Sequence, residues 1–274
     1  METNLLKALI NLKNTTNFSL PAHYGSANRM NSMGVALEYF IKDAFCSSLG
    51  IINIADKDQK YSKHLSYIGN ANNPPDFIIK QGDAVEVKKI GNPNSSLALN
   101  SSYPKDRLYK DSPLITDACR QCEEWETKDI IYAVGVVEEE TVKSLWFVYG
   151  DCYAANKLVY ENTREKLIEG INSLEGIGFS KTRELGRINR VDPLGITYLR
   201  IRGMWGIDNP MYVFNYLSVE QRVPSIVALM RKEKYSTFPE EDRKKLEDQQ
   251  LVGDVRVKNP DNPAIYLEAK LIKF

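Results

Sequence analysis

Residues 72–90 read NNPPDFIIKQGDAVEVKKI and carry the clearest structural pattern in the chain. Two short runs rich in apolar residues, 76–80 and 84–90, flank the turn-forming sequence Gln81-Gly82-Asp83. Strand-like runs of this length on either side of a glycine-containing turn are typical of a β-hairpin. The stretch therefore predicts two antiparallel strands.

An amphipathic helix is predicted upstream of the hairpin, over residues 30–48, where Met33, Leu37 and Ile41 recur at helical spacing. Glu38 lies at the edge of that apolar arc. Further helices are expected at 3–13, 119–126, 155–173, 218–233 and 239–250, and further strands at 130–137, 144–150 and within 185–203. This order of elements predicts a mixed α/β fold.

The composition indicates an ordinary globular protein. The 274 residues include 36 Lys or Arg and 36 Asp or Glu, and this neutral balance argues against a general polyanion binder. The sequence contains no run of about 18 apolar residues, so no membrane span is predicted, and the N-terminus lacks the pattern of a secretory signal. We therefore expect a cytoplasmic protein with free thiols. The pair Cys119 and Cys122 is interpreted as structural thiols on a helix rather than as a metal or redox site.

The hairpin carries the residues of a candidate catalytic site. Residues two apart in a strand point to the same face, so Glu86 and Lys88 project together, and the paired strand can bring Asp76 beside them. Two carboxylates at one sheet edge suit Mg²⁺, which prefers oxygen ligands. Such an ion would polarise a phosphodiester, while Lys88 would orient or deprotonate an attacking water. The alternative is a hairpin with a solvated charged face.

The pattern Pro-Asp followed by Glu-x-Lys resembles the PD-(D/E)xK nuclease signature, and a second copy lies near the C-terminus. Its residues are Asp254, Pro260, Asp261, Glu268 and Lys270. Only four residues follow Lys270, whereas the nuclease core resembled here continues into a further helix and strand. The first copy follows a long amphipathic helix and precedes ample α/β sequence. We therefore favour the first copy.

The sequence around the first copy closely resembles the NgoPII family of type II restriction endonucleases. The similarity is carried by GNANNPPDFIIKQGDAVEVKKI, LALNSSYPKDRLYKDSPLIT and ACRQCEEWETKDIIYAVG, with NRMNSMGVALEYFIKDAF upstream. It is dense over residues 28–136. Its most distinctive part is ALNSSYPKDRLY, directly after the Glu-x-Lys strand.

The resemblance implies a PD-(D/E)xK restriction-endonuclease-like core, with a mixed central sheet flanked by helices and family-specific extensions. It implies Mg²⁺-dependent double-strand cleavage of a short palindrome, with GGCC as the family's characteristic site. Asp76 and Glu86 would bind the metal, and Lys88 would serve the attacking water. Glu38 corresponds to the helix acid that often completes such sites, and its alternative role is that of a surface salt-bridge partner.

Two segments are candidates for DNA contact. The first follows the active strand, and its polar residues are suited to reading G·C pairs in the major groove. They are Asn100, Ser101, Ser102, Lys105 and Arg107. The second, residues 181–205, holds six basic residues against two acidic ones, and Arg200 and Arg202 would share one strand face on a phosphate-contacting surface. A solvated loop and a solvated charged face are the respective alternatives.

We expect a homodimer, since a palindrome is matched by a two-fold protein. Its partners would be double-stranded DNA and, functionally, a cognate DNA methyltransferase of the same restriction-modification system. We expect one nuclease domain over residues 1–274, with the catalytic core at approximately 28–175 and DNA-binding or dimer elaborations at approximately 176–274. The alternatives are a repair or junction-resolving nuclease of the same fold and a DNA-binding protein without cleavage activity.

Overall fold

The computed structural model describes residues 2–20, 29–70, 73–217, 219 and 223–274. Its helices are α1 (Leu5–Asn14), α2 (Arg29–Cys46), α3 (Ile54–His64), α4 (Asp117–Gln121), α5 (Lys157–Asn172), α6 (Pro210–Val213), α7 (Lys232–Ser236) and α8 (Glu240–Glu247). Its strands are β1 (Leu65–Asn70), β2 (Asn73–Ile79), β3 (Ala84–Ile90), β4 (Leu97–Asn100), β5 (Arg107–Tyr109), β6 (Thr127–Glu138), β7 (Thr141–Tyr149), β8 (Gly186–Asn189), β9 (Tyr198–Ile201), β10 (Trp205–Ile207), β11 (Ser225–Arg231), β12 (Val252–Asn259) and β13 (Asn262–Lys273).

A mixed sheet forms the centre of the fold, in the order β1-β2-β3-β6-β7-β11-β13-β12, and β5 pairs with a further part of β6. The pairs β3–β6 and β7–β11 are parallel, and the other neighbours in this order are antiparallel. β2 and β3 form the predicted hairpin. Helices packed against a large mixed sheet confirm the predicted fold class.

Helices α1 and α2 pack on one face of the sheet. Asn4 caps α1 by accepting a hydrogen bond from the backbone N–H of Lys7, and the leucines of α1 are buried. Val85 and Val87 of β3 belong to the same apolar core as these helices. Because side chains alternate along a strand, the intervening Glu86 points to the opposite face. The charged face of β3 is therefore the one that α1 and α2 do not cover.

The turn of the β2–β3 hairpin is anchored by residues distant in sequence. Asp83 accepts a hydrogen bond from the hydroxyl of Tyr149 at 2.6 Å. The ammonium of Lys234 lies 2.6 Å from Asp83 and 2.8 Å from Asp129. These buried contacts join the hairpin to β6, β7 and α7, and so fix the point from which β3 begins.

The helix predicted over residues 218–233 is wrong. Residues 225–231 form β11 instead, and residues 218 and 220–222 lie outside the described part of the chain. β11 lies between β7 and β13, and six of its seven residues are buried. A strand buried on both faces has a continuous apolar sequence, which periodicity does not distinguish from a buried helix.

Two smaller sheets lie outside the central one, and the first of them connects the segment after β3 to the C-terminal half. β4 pairs with β10, and β8 pairs with β9. Tyr103 stacks on Tyr160 of α5, with 5.5 Å between ring centroids, and meets the ring of Trp205 edge-on at 6.3 Å. The segment after β4 is thus held between α5 and β10. None of the described helices has the length and apolar character needed to cross a membrane.

Candidate active site

Asp76 and Glu86 meet where the β2–β3 ladder ends. The regular pairing of the two strands stops at Phe77 and Val85, and the two carboxylates lie on the next residues beyond that pair. Oδ2 of Asp76 accepts a hydrogen bond from the backbone N–H of Val87 at 2.6 Å. This bond fixes the carboxylate beside β3.

The backbone of β1 lies unusually close to β2 at this position. A Cβ atom on Gly69 would overlap the carbonyl oxygen of Pro75 and would also press on the backbone of Asp76. Glycine is therefore the residue that lets the two strands approach here. The close approach of β1 holds the backbone of Asp76 in place on β2.

Lys88 lies beside Glu86, as the spacing predicts. Its Nζ atom is 2.6 Å from Oε1 of Glu86, a residue that is only 8% exposed. β3 runs parallel to β6, on which Tyr132 is the register neighbour of Glu86. The structure therefore brings Asp76, Glu86 and Lys88 together on one face of the sheet.

The charges of the site perturb one another. Burial raises the pKa of Asp76 well above its usual value, and the negative charges of Glu86 and Glu38 raise it further. Lys88 opposes that shift. Burial acts against the charge of Lys88 itself, but the nearby carboxylates outweigh it, so the pKa of Lys88 is raised. The site thus holds more negative charge than one lysine balances.

Glu38 lies on α2 and acts on the site through its charge. Its charge acts on both Asp76 and Lys88, while its Oε1 atom lies 3.0 Å from Nζ of Lys42. The ammonium of Lys42 also lies over the ring of Tyr39, 3.9 Å from its centroid. The alternative predicted for Glu38, a surface salt-bridge partner, is therefore met only in part, because the ion pair is present but its Lys42 is buried, and the charge of Glu38 also acts at the site.

The donor set fits a divalent cation that prefers oxygen ligands. Oε2 of Glu86 is buried and has no hydrogen-bond partner, which costs free energy unless a ligand meets it. The raised pKa of Asp76 has the sign that a bound cation would reverse. Among the described residues, no group of three or more acidic, histidine or cysteine side chains is placed to hold a metal. Two carboxylates would supply only part of the ligand shell of such a cation, and the remaining ligands would be oxygens of water or substrate.

The second Pro-Asp and Glu-x-Lys segment does not assemble in this way. Asp261 lies in the turn between β12 and β13, where it accepts a hydrogen bond from the backbone N–H of Asn156. Glu268 comes seven residues later, roughly 20 Å further along the chain. Lys270 pairs with the exposed Asp254 at 2.9 Å. The geometry therefore favours the first copy.

The residues predicted to contact DNA after the active strand have different environments. Asn100 ends β4, Ser101 is exposed and Ser102 is half-buried. Arg107 is exposed and begins β5, and its guanidinium group lies 3.2 Å from an aspartate of β6. Lys105 is only 4% exposed. The alternative of a solvated loop is therefore wrong for Lys105, whose backbone N–H donates to the hydroxyl of Tyr132 on β6.

Arg200 and Arg202 lie on the same side of their segment, as predicted. Both contact Glu184, with Nη2 of Arg200 at 2.6 Å and Nε of Arg202 at 2.9 Å from the same carboxylate oxygen. The hydrogen bond of Arg200 and the charges of both arginines lower the pKa of Glu184. Two cations share one anion, so the exposed cluster keeps a net positive charge suited to phosphate.

All four cysteines are free. Cys119 is buried, and burial raises the pKa of its thiol to about 12. Burial also raises the pKa of the Cys122 thiol. Metal binding and nucleophilic attack require the thiolate, which a raised pKa disfavours. These environments agree with structural thiols.

Three neighbours of the site were not among the predicted residues. The backbone N–H of Val87 lies in the hairpin itself, whereas the hydroxyl of Tyr132 becomes a neighbour of the site only through the pairing of β3 with β6, which the hairpin sequence does not specify. Lys42 could have been found, because it follows Glu38 by four residues on a helix, a spacing that favours an ion pair.

Comparison with known proteins places the chain in a family. The profile of the NgoPII restriction endonuclease family matches residues 3–260. The chain is 44% identical over 276 residues to the type II restriction enzyme NgoPII of Neisseria gonorrhoeae, with 99% of each chain covered. No solved structure matches it. The chain therefore belongs to the NgoPII family of type II restriction endonucleases.

Proposed function

We propose that this chain cuts both strands of DNA at the palindrome GGCC in an Mg²⁺-dependent reaction. The observation that carries the proposal is the meeting of Asp76, Glu86 and Lys88 at the end of the β2–β3 ladder, with one oxygen of Glu86 buried and unpartnered. Family membership supports the restriction activity. The choice of GGCC comes from the family resemblance alone.

Each of the three side chains has a role in phosphodiester hydrolysis. Asp76 and Glu86 would hold the cation through their carboxylate oxygens, and the N–H of Val87 keeps the first carboxylate in place. A bound Mg²⁺ ion supplies stabilisation of the negative charge that develops on the phosphate. Lys88 donates hydrogen bonds from Nζ and so orients the attacking water, while Glu86 holds its ammonium in position.

A palindromic DNA substrate also implies a dimeric enzyme with further contacts to the bases and phosphates. A homodimer would place one active site on each strand. Asn100, Ser101, Ser102 and Arg107 are the proposed base-proximal contacts, and Arg200 and Arg202 the proposed phosphate contacts. Residues 1–274 would form one nuclease domain, with the core at approximately 28–175. We place the enzyme in the cytoplasm, where a cognate methyltransferase would protect host DNA.

The test is a digest of unmethylated plasmid with Mg²⁺, with and without EDTA, followed by sequencing of the fragment ends. The proposal expects discrete fragments, all ending within or beside GGCC, and no cleavage in EDTA. Fragment ends at another sequence would refute the GGCC specificity but not the nuclease activity. Salt-sensitive binding without cleavage of any duplex would refute the catalytic function.

A further inference from the structure

The buried side chain of Lys105 has no part in the reaction described so far. Its Nζ atom donates to Oγ of Ser102 at 2.5 Å and to the carbonyl oxygen of Tyr103 at 3.3 Å. An ammonium group has three N–H donors, and beyond these two oxygens the described residues offer Nζ only the ring of Tyr103, whose centroid lies 5.0 Å away. Within that part of the chain, no carboxylate lies at ion-pair distance from Lys105 either.

A buried ammonium without a counter-ion is costly. Removal of a charge from water costs free energy unless an ion of opposite sign or several hydrogen bonds replace the water. Burial lowers the pKa of Lys105 to about 8, with Glu86 opposing the decrease and Lys88 adding to it. The arrival of an anion at Nζ would remove this cost.

The position of Lys105 indicates that the anion arriving at its Nζ atom is the substrate phosphate. Its backbone N–H donates to the hydroxyl of Tyr132 at 2.7 Å, and Tyr132 is the register neighbour of Glu86 on β6. Gly150 keeps the segment close to the sheet, since a Cβ there would overlap the carbonyl oxygen of Lys105. Lys105 therefore lies on the sheet face that carries Glu86 and Lys88, where the substrate phosphate must come.

We propose that Lys105 is a catalytic residue whose Nζ donates a hydrogen bond to a non-bridging oxygen of the phosphate being cut. This inference rests on the proposed nuclease function. Negative charge on those oxygens increases in the transition state, and a donor already held in a buried site stabilises it without reorganisation. Lys105 forms and breaks no covalent bond, and Lys88 remains the residue that orients water. This role replaces the base-reading role predicted for Lys105.

The test compares Lys105→Met with Lys110→Met, a control lysine nearby that pairs with Glu126 at 3.7 Å. Single-turnover cleavage in Mg²⁺ should be slower by about 100-fold in Lys105→Met and unchanged in the control. The affinity for the same duplex in EDTA should also be measured over a series of salt concentrations. The slope of log affinity against log salt concentration should be smaller in Lys105→Met by the equivalent of about one phosphate contact. The melting temperature should be equal or higher, because Met buries no charge.

Two results would overturn the proposal. One is a Lys105→Met cleavage rate within about threefold of the wild-type rate. The other is a rate loss with a lower melting temperature and an unchanged salt slope, because that pattern assigns Lys105 to holding residues 102–103. Failure of the nuclease function looks different, since wild type and Lys110→Met would also leave the DNA uncut. In that case the salt dependence of DNA binding by Lys105→Met, compared with the wild type, would by itself show whether Lys105 contacts a phosphate.

Discussion

Replacement of Asp76 by Asn should stabilise the metal-free protein while abolishing cleavage. Asn keeps an oxygen that can accept from the N–H of Val87, but it removes a negative charge beside Glu86. Two like charges about 4 Å apart repel by about 4 kcal/mol at an effective dielectric constant of about 20, and the attraction of Lys88 offsets much of that. We expect a net gain of about 1 kcal/mol at pH values above the raised pKa of Asp76, or roughly 2–4 °C in Tm.

The gain should depend on pH with a definite sign. Folding raises the pKa of Asp76, so the folded state binds this proton more tightly than the unfolded chain, in which Asp titrates near about 3.9. The stability of the wild type therefore falls as pH rises from that value through the raised pKa, and Asp76→Asn removes this loss. The gain in stability of Asp76→Asn over the wild type should be largest at pH values above the raised pKa of Asp76. It should vanish at low pH, where the wild-type carboxyl is protonated in both states.

The assay is thermal unfolding in EDTA over a series of pH values, repeated with Mg²⁺. Asp254→Asn is the matched control, because the hydrogen bond and charge of Lys270 lower the pKa of Asp254, so its replacement should not stabilise. Added Mg²⁺ should raise the Tm of the wild type but not that of Asp76→Asn. A variant that is less stable than the wild type at the highest pH of the series in EDTA, or that still cuts DNA, would rule out this role for the charge of Asp76.

Three further changes probe the surroundings of the site. Lys234→Met should lower the free energy of unfolding by about 3–5 kcal/mol in urea titrations, because it leaves the buried Asp83 without its cation, and an unchanged stability would argue against that network. Gly69→Ala should cost about 1–3 kcal/mol and slow cleavage, since its Cβ would overlap Pro75; normal stability would show that β1 can move away. Arg200→Gln should weaken binding of all duplexes alike and reduce the salt slope by about 1, whereas a selective loss on GGCC would mean base contact.

The sequence predicted the parts of the fold that depend on local patterns. The 84–90 strand, the turn before it and the helix that carries Glu38 each have a clear period or turn signal, and all three occur. The family assignment, which rested on residues around that hairpin, is confirmed by a match over nearly the whole chain. By contrast, β11 was mistaken for a helix because it is apolar throughout, and its parallel pairing with β7 joins residues about 80 positions apart.

The candidate site could be predicted only in part for the same reason. Asp76, Glu86 and Lys88 lie within one hairpin, so strand alternation places them together without any knowledge of the remaining fold. Lys105 follows a polar, turn-like stretch that reads as surface. Its burial depends on contacts with Tyr132 and Gly150, which are distant in sequence, and no local pattern reports them.

Single-turnover cleavage of a GGCC duplex in Mg²⁺ by the wild type, Glu86→Gln and Glu268→Gln, measured side by side, shows which of the two hairpins holds the active site. Loss of a metal-binding carboxylate removes several kcal/mol of transition-state stabilisation, so Glu86→Gln should be slower by about 10³-fold or more. Glu268→Gln should cut at the wild-type rate. An active Glu86→Gln enzyme together with an inactive Glu268→Gln enzyme would contradict the account and move the active site to the second hairpin.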